Sequence, residues 1–129
     1  MNIVIDTNII VSAILSPKGN SYRILNLVGV DESIDVYYSA GIFAEYKRVL
    51  AYKRLNISIE TQMDILDTVK KFGIIIDPVT SNIALKDETD RIFYDTAKEA
   101  GAILITGNLK HYPAEPFIKL PADFVRIIK

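Results

Sequence analysis

Short runs that stay apolar at successive positions constrain this chain most. Residues 2–5 ("NIVI"), 34–39 ("IDVYYS"), 74–77 ("IIID") and 102–106 ("AILIT") are rich in β-branched and aromatic side chains. Successive residues of a strand point to opposite faces, so an apolar run needs both faces of its sheet covered. The segments between the runs supply that cover, because their apolar residues recur with helical spacing. Residues 8–15 read as a helix ended by Ser16, Pro17 and Gly19, and residues 21–28 as a second, with Ser21 as cap and Tyr22, Leu25 and Val28 on one face. Residues 40–55 put Phe43, Tyr46, Leu50 and Ala51 together. A fourth helix starts at Ser58, turns Ile65, Leu66 and Val69 inward and stops at Gly73. A fifth, over 88–100, buries Ile92, Phe93, Ala97 and Ala100 and ends at Gly101. Residues 123–128 ("DFVRII") read as the last strand. Strands alternating with helices predict an α/β fold with a parallel sheet covered on both sides.

With 129 residues the chain is expected to form a single domain, residues 1–129. Half of its residues are hydrophobic, 24% are charged and Cys is absent, which excludes a disulfide scaffold and thiolate metal sites. No apolar run reaches the ~18 residues of a membrane span, so the expectation is a cytoplasmic protein. The net charge of −1 does not advertise nucleic-acid binding, and any RNA contact needs a local basic patch.

Ligands of open α/β sheets bind at the carboxyl ends of strands, where strand order reverses. Asp6, Thr7 and Asn8 follow the first strand, and Thr106, Gly107 and Asn108 follow the fourth. Capping of the next helix accounts for one polar residue at the first of these ends. Asp87, Glu88 and Asp90 open the fifth helix in a pattern close to a capping box. Glu45 lies in the first half of the third helix, where a solvated glutamate is the ordinary reading. Together, Asp6, Glu45 and Asp90 come from three elements that each begin near the carboxyl edge of the sheet. Converging carboxylates repel unless a cation neutralises them, and hard oxygen donors favour Mg²⁺ or Mn²⁺ over zinc. Such an ion suits phosphodiester hydrolysis.

In order and spacing, "DTNIIVSA", the glutamate of "FAEYKRVL", "DETDRIF" and "GAILITGN" resemble the PIN domain family over almost the whole chain. The resemblance implies a three-layer α/β/α sandwich and a Mg²⁺- or Mn²⁺-dependent ribonuclease. It further implies the toxin of a toxin and antitoxin pair, with RNA as substrate, a cognate antitoxin as partner and a homodimer as assembly. Asp6, Glu45 and Asp90 match the family's first three metal-binding acids. The fourth acid follows the Thr-Gly pair, where this chain has Asn108, an amide without charge. Asp87, one turn from Asp90, offers a replacement carboxylate, while Asn8 and Thr106 would orient the ligands.

Lys47, Arg48, Lys53 and Arg54 form a basic run, and Lys110 stands beside the fourth strand's loop. A solvated face is the default for such charges, and phosphate contact is their role if RNA is bound. His111, the one histidine, reads as incidental. Two other functions compete with hydrolysis. One is a PIN-like module that binds RNA or a protein without catalysis. The other is phosphotransfer through Asp6, a chemistry that expects a second aspartate where Asn8 stands.

Overall fold

Ile3, Val4 and Ile5 are adjacent in sequence and all buried, so the first strand has protein on both of its faces. Each such side chain contributes about 1.5–3 kcal/mol by leaving water. The computed structural model describes residues 1–128. In chain order the elements are β1 (Asn2–Ile5), α1 (Thr7–Leu15), α2 (Asn20–Leu27), β2 (Asp35–Tyr38), α3 (Ala40–Leu50), α4 (Ile59–Phe72), β3 (Ile74–Ile75), α5 (Arg91–Ala100), β4 (Ile103–Ile105), β5 (Ile118–Lys119) and α6 (Pro121–Ile127). Three single turns of 3₁₀ helix, Lys53–Leu55, Glu88–Asp90 and Leu109–His111, join them.

The five strands form one sheet in the order β3-β2-β1-β4-β5, and every pairing is parallel. The chain builds outward from β1 to β3, returns, and builds outward in the other direction from β4. Strand order therefore reverses between β1 and β4, and the register Ile5↔Ile105 sets the ends of these two strands side by side. That crevice is where an α/β sheet binds its ligand.

Helix α5 crosses β1, β2 and β4 and also touches α3, which explains five consecutive buried residues, Phe93 to Ala97. Ser39 caps α3 through Ile42 N–H, and Ser58 caps α4 through Thr61 N–H. Ile65, Leu66 and Val69 rest half-buried against the core. Gly101 ends α5 in the left-handed conformation at φ 58°.

Three expectations need correction. Residues 123–128 are not a strand: Pro121 occupies the first turn of α6, where its missing N–H costs nothing, and Phe124 and Val125 point inward. The edge strand β5 lies earlier, at Ile118–Lys119. In α2 the buried residues are Ser21 and Ile24, with Gly19 at the N-cap and Tyr22 exposed. Helix α3 stops at Leu50 and turns Ile42 rather than Phe43 fully inward, while Ala51 is exposed.

Candidate active site

Asp6 follows β1 directly and stands at the N-cap of α1, yet its carboxylate makes no capping hydrogen bond. It is instead buried and turned across the crevice, where Oδ2 accepts from Thr106 Oγ1 and from the Tyr112 hydroxyl, both at 2.9 Å. Burial pushes the Asp6 carboxyl above its ordinary range, against the opposing pull of these two donors and of the N–H groups of Thr7 and Asn8. Capping therefore does not explain this aspartate.

The end of β4 closes the other wall. Asn8 Oδ1 accepts from Gly107 N at 2.9 Å, and Asn108 N donates to Thr106 Oγ1 at 3.0 Å. A β-carbon on Gly107 would approach Asn8 Oδ1 to 3.2 Å, so glycine lets the two loops meet. Asn8 and Thr106 thus tie α1 to β4 around Asp6. The Asn108 amide nitrogen of the backbone serves this lattice, while its side chain is exposed. Under the site, the buried Tyr46 hydroxyl donates to Ile5 O, and the neighbouring Asp6 charge and burial both hold that phenol neutral.

Asp90 ends the 3₁₀ turn that leads into α5 and makes no cap bond either. Its carboxyl is pushed up to about 6, first by desolvation and then by the charges of Asp6 and Asp87, with His111 pulling the other way. Geometry brings Asp6 and Asp90 to one region, because the adjacent residues His111 and Tyr112 contact Asp90 and Asp6 respectively. His111 Nδ1 lies 3.1 Å from Asp90 Oδ2, and with the carboxylate ionised the ring nitrogen is the donor. Asp87 Oδ1 accepts from the Thr89 N–H and hydroxyl, the capping role that the sequence suggests.

Glu45 does not join the aspartates. Its Oε1 lies 2.5 Å from Arg48 Nη2 within α3. Among the described residues, no three His, Cys, Asp or Glu side chains lie close enough to hold a metal ion together. Arg48 is thereby engaged, and its guanidinium and that of Arg54 also flank the Tyr52 ring. Lys47 and Lys110 are exposed, the latter next to His111 on the Leu109–His111 turn.

Sequence reasoning passed over Tyr112 and undervalued His111. The available signal was position: both follow a β4 strand end by only a few residues, on the same edge as Asp6. An apolar cavity of about 460 Å³ between α1, α2 and α4, lined by Ile10, Ile14, Leu25, Ile65 and Val69, includes neither Asp6 nor Asp90. Its lining lacks convergent charged groups, so the carboxylate crevice is the better catalytic candidate.

A family model of the PIN domain matches residues 2–110, from β1 to the residue before His111. The chain belongs to the PIN domain family. PIN domains are generally nucleases. An uncharacterized protein of Methanocaldococcus jannaschii is 34% identical over 111 residues, which span 84% of this chain and 71% of that protein. Among solved structures, the fold is similar to a chain of VapBC2 from Rickettsia felis, crystallised with a DNA fragment from their promoter. That match has a TM-score of 0.60 and 22% identity, covering 93% of this chain and 97% of the other. The all-parallel five-stranded sheet with six helices is the PIN-like α/β architecture.

The donor set of this PIN domain fits a hard divalent cation. Asp6 and Asp90 present oxygen ligands, no cysteine competes, and the Asp90 carboxyl is raised by desolvation and by the charges of Asp6 and Asp87, which His111 only partly offsets.

Proposed function

We propose that the protein is a Mg²⁺- or Mn²⁺-dependent endoribonuclease that hydrolyses RNA phosphodiester bonds. The observation that carries this reading is the pair Asp6 and Asp90, two carboxylates from separate elements beside the strand-order reversal of a PIN domain, with no Lys or Arg paired to either among the described residues. These two would hold the ion, with Glu45 joining if it leaves Arg48. A divalent cation bound there supplies a Lewis acid and a bound water of lowered pKa. The chain's own part is to fix the carboxylates: Thr106 and Tyr112 hold Asp6, and Asn8 holds the β4 loop against α1. Lys47 and Lys110 offer exposed charge for the RNA backbone.

The reading extends to the toxin half of a toxin and antitoxin pair, acting in the cytoplasm, with an antitoxin protein as partner and a homodimer as assembly. The similarity of fold to VapBC2 supports the first part. No helix among the described residues is long and apolar enough to cross a membrane.

The test is cleavage of a mixed panel of structured and single-stranded RNAs with Mn²⁺, Mg²⁺ or EDTA. Asp6→Asn and Asp90→Asn are expected to lose more than about 100-fold in rate while staying folded, since the loss of a supporting partner alone costs 10- to 100-fold. Equal activity in the variants, or cleavage that EDTA does not stop, contradicts the proposal. A second reading, an RNA- or protein-binding module without catalysis, is favoured by the Glu45–Arg48 pair and by Asn108. It gives no cleavage by folded protein on any RNA.

A further inference from the structure

The residues Thr106 to Tyr112 hold both candidate ligands from one side. Thr106 Oγ1 and the Tyr112 hydroxyl donate to Oδ2 of Asp6, and His111 Nδ1 donates to Oδ2 of Asp90. On each aspartate the other oxygen, Oδ1, has no side-chain hydrogen-bond partner among the described residues. The neighbouring acids are already engaged. Glu45 pairs with Arg48, Glu88 pairs with Arg91 at 2.8 Å, and Asp87 Oδ1 is taken by Thr89. At position 108, where a further acid would add charge, the side chain is a neutral amide. Asp6 and Asp90 are the two carboxylates that the Thr106–Tyr112 segment grips, each through Oδ2. Their charge equals that of a single divalent ion.

We propose that the Thr106–Tyr112 segment positions Asp6 and Asp90 for one divalent cation, with His111 as the positioning residue that fixes Asp90. This rests on the metal-dependent reading above and narrows it to one ion. A carboxylate with one oxygen anchored by a rigid donor loses rotational freedom before the ion arrives, so less entropy is spent on binding. Fixing the ring itself requires little of the fold, because His111 is exposed and sits on a short turn tied by His111 N–H to Asn108 O and by Tyr112 N–H to Leu109 O.

The test is Mn²⁺ binding to the full chain, followed by calorimetry and by loss of the free-ion electron paramagnetic resonance signal, for the wild type, His111→Phe and His111→Asn. Asparagine keeps an N–H donor near the Nδ1 position, whereas phenylalanine keeps only the ring. The expected result is one Mn²⁺ per chain, affinity reduced about 10- to 100-fold in His111→Phe and restored to within about threefold in His111→Asn. Thermal unfolding of the metal-free variants controls for folding. Two ions of comparable affinity overturn the single-ion proposal. Wild-type affinity in a folded His111→Phe, or equal weakness of both variants, overturns the role of the donor. A wild type that takes up no Mn²⁺ overturns this inference and the metal-dependent reading together, an outcome distinct from the others.

Discussion

At Asp6, burial and hydrogen bonding act in opposite directions. Burial disfavours the ionised carboxylate, and the Thr106 and Tyr112 hydroxyls favour it. Removing one donor leaves a buried carboxylate less satisfied, so Tyr112→Phe is expected to cost about 1–3 kcal/mol when Asp6 is ionised. Urea unfolding across a pH series checks this, with the loss expected to shrink toward acid pH as the carboxylate is protonated. Asp90 gives a complementary pH dependence. Its folded carboxyl is pushed up to about 6 from 3.8, so between these values the folded chain binds more protons than the unfolded one. This group's contribution is present below about pH 4 and is lost as pH rises through about 6. A cation displaces that proton. Mn²⁺ affinity is therefore expected to weaken as pH falls below 6, with proton release on binding near pH 5 visible by calorimetry in buffers of different ionisation enthalpy.

At the scale of elements, α5 carries the site and also anchors the segment that approaches it. Arg91 donates to Ser81 O, Ser81 Oγ and Ile83 O, and the buried Asp95 accepts from Ser81 N at 3.1 Å. Arg91→Ala is expected to speed amide hydrogen exchange over residues 81–86 while leaving the β1 and β4 amides protected. Where α5 ends, a β-carbon on Gly101 would meet nothing within 4 Å, so the cost of Gly101→Ala is backbone strain alone, about 1 kcal/mol in thermal or urea unfolding. These elements differ in how clearly the sequence announced them. Gly101 and Ser58 mark ends by local chemistry, and such signals survive folding. The run 123–128 looked strand-like because Phe, Val and Ile suit either structure. Pro121, just upstream, decided for helix. In α2 the buried face was set by contact with α1 and α6, which local spacing does not contain.

Across the whole molecule, the alternation of apolar runs and amphipathic segments was enough to foresee a parallel sheet covered on both faces. The strand order was not, since it depends on where the chain turns back after β3. That reversal brings Asp6 next to Thr106, residues separated by one hundred positions. The site was legible to the extent that its acids sit at strand and helix ends. What stayed hidden was long-range pairing: the Arg48 contact that holds Glu45 is a local i,i+3 pair within α3, whereas the His111 contact that holds Asp90 is a matter of tertiary geometry and emerged only with the fold. The central claim is that Asp6 and Asp90 together are the anchor for a catalytic cation. Anomalous diffraction at the manganese edge from crystals of the full chain grown with Mn²⁺ tests it most directly. The account predicts a peak bridging Asp6 and Asp90, absent in Asp6→Asn. A peak held by other residues, or none between the two aspartates in protein that cleaves RNA, would contradict it.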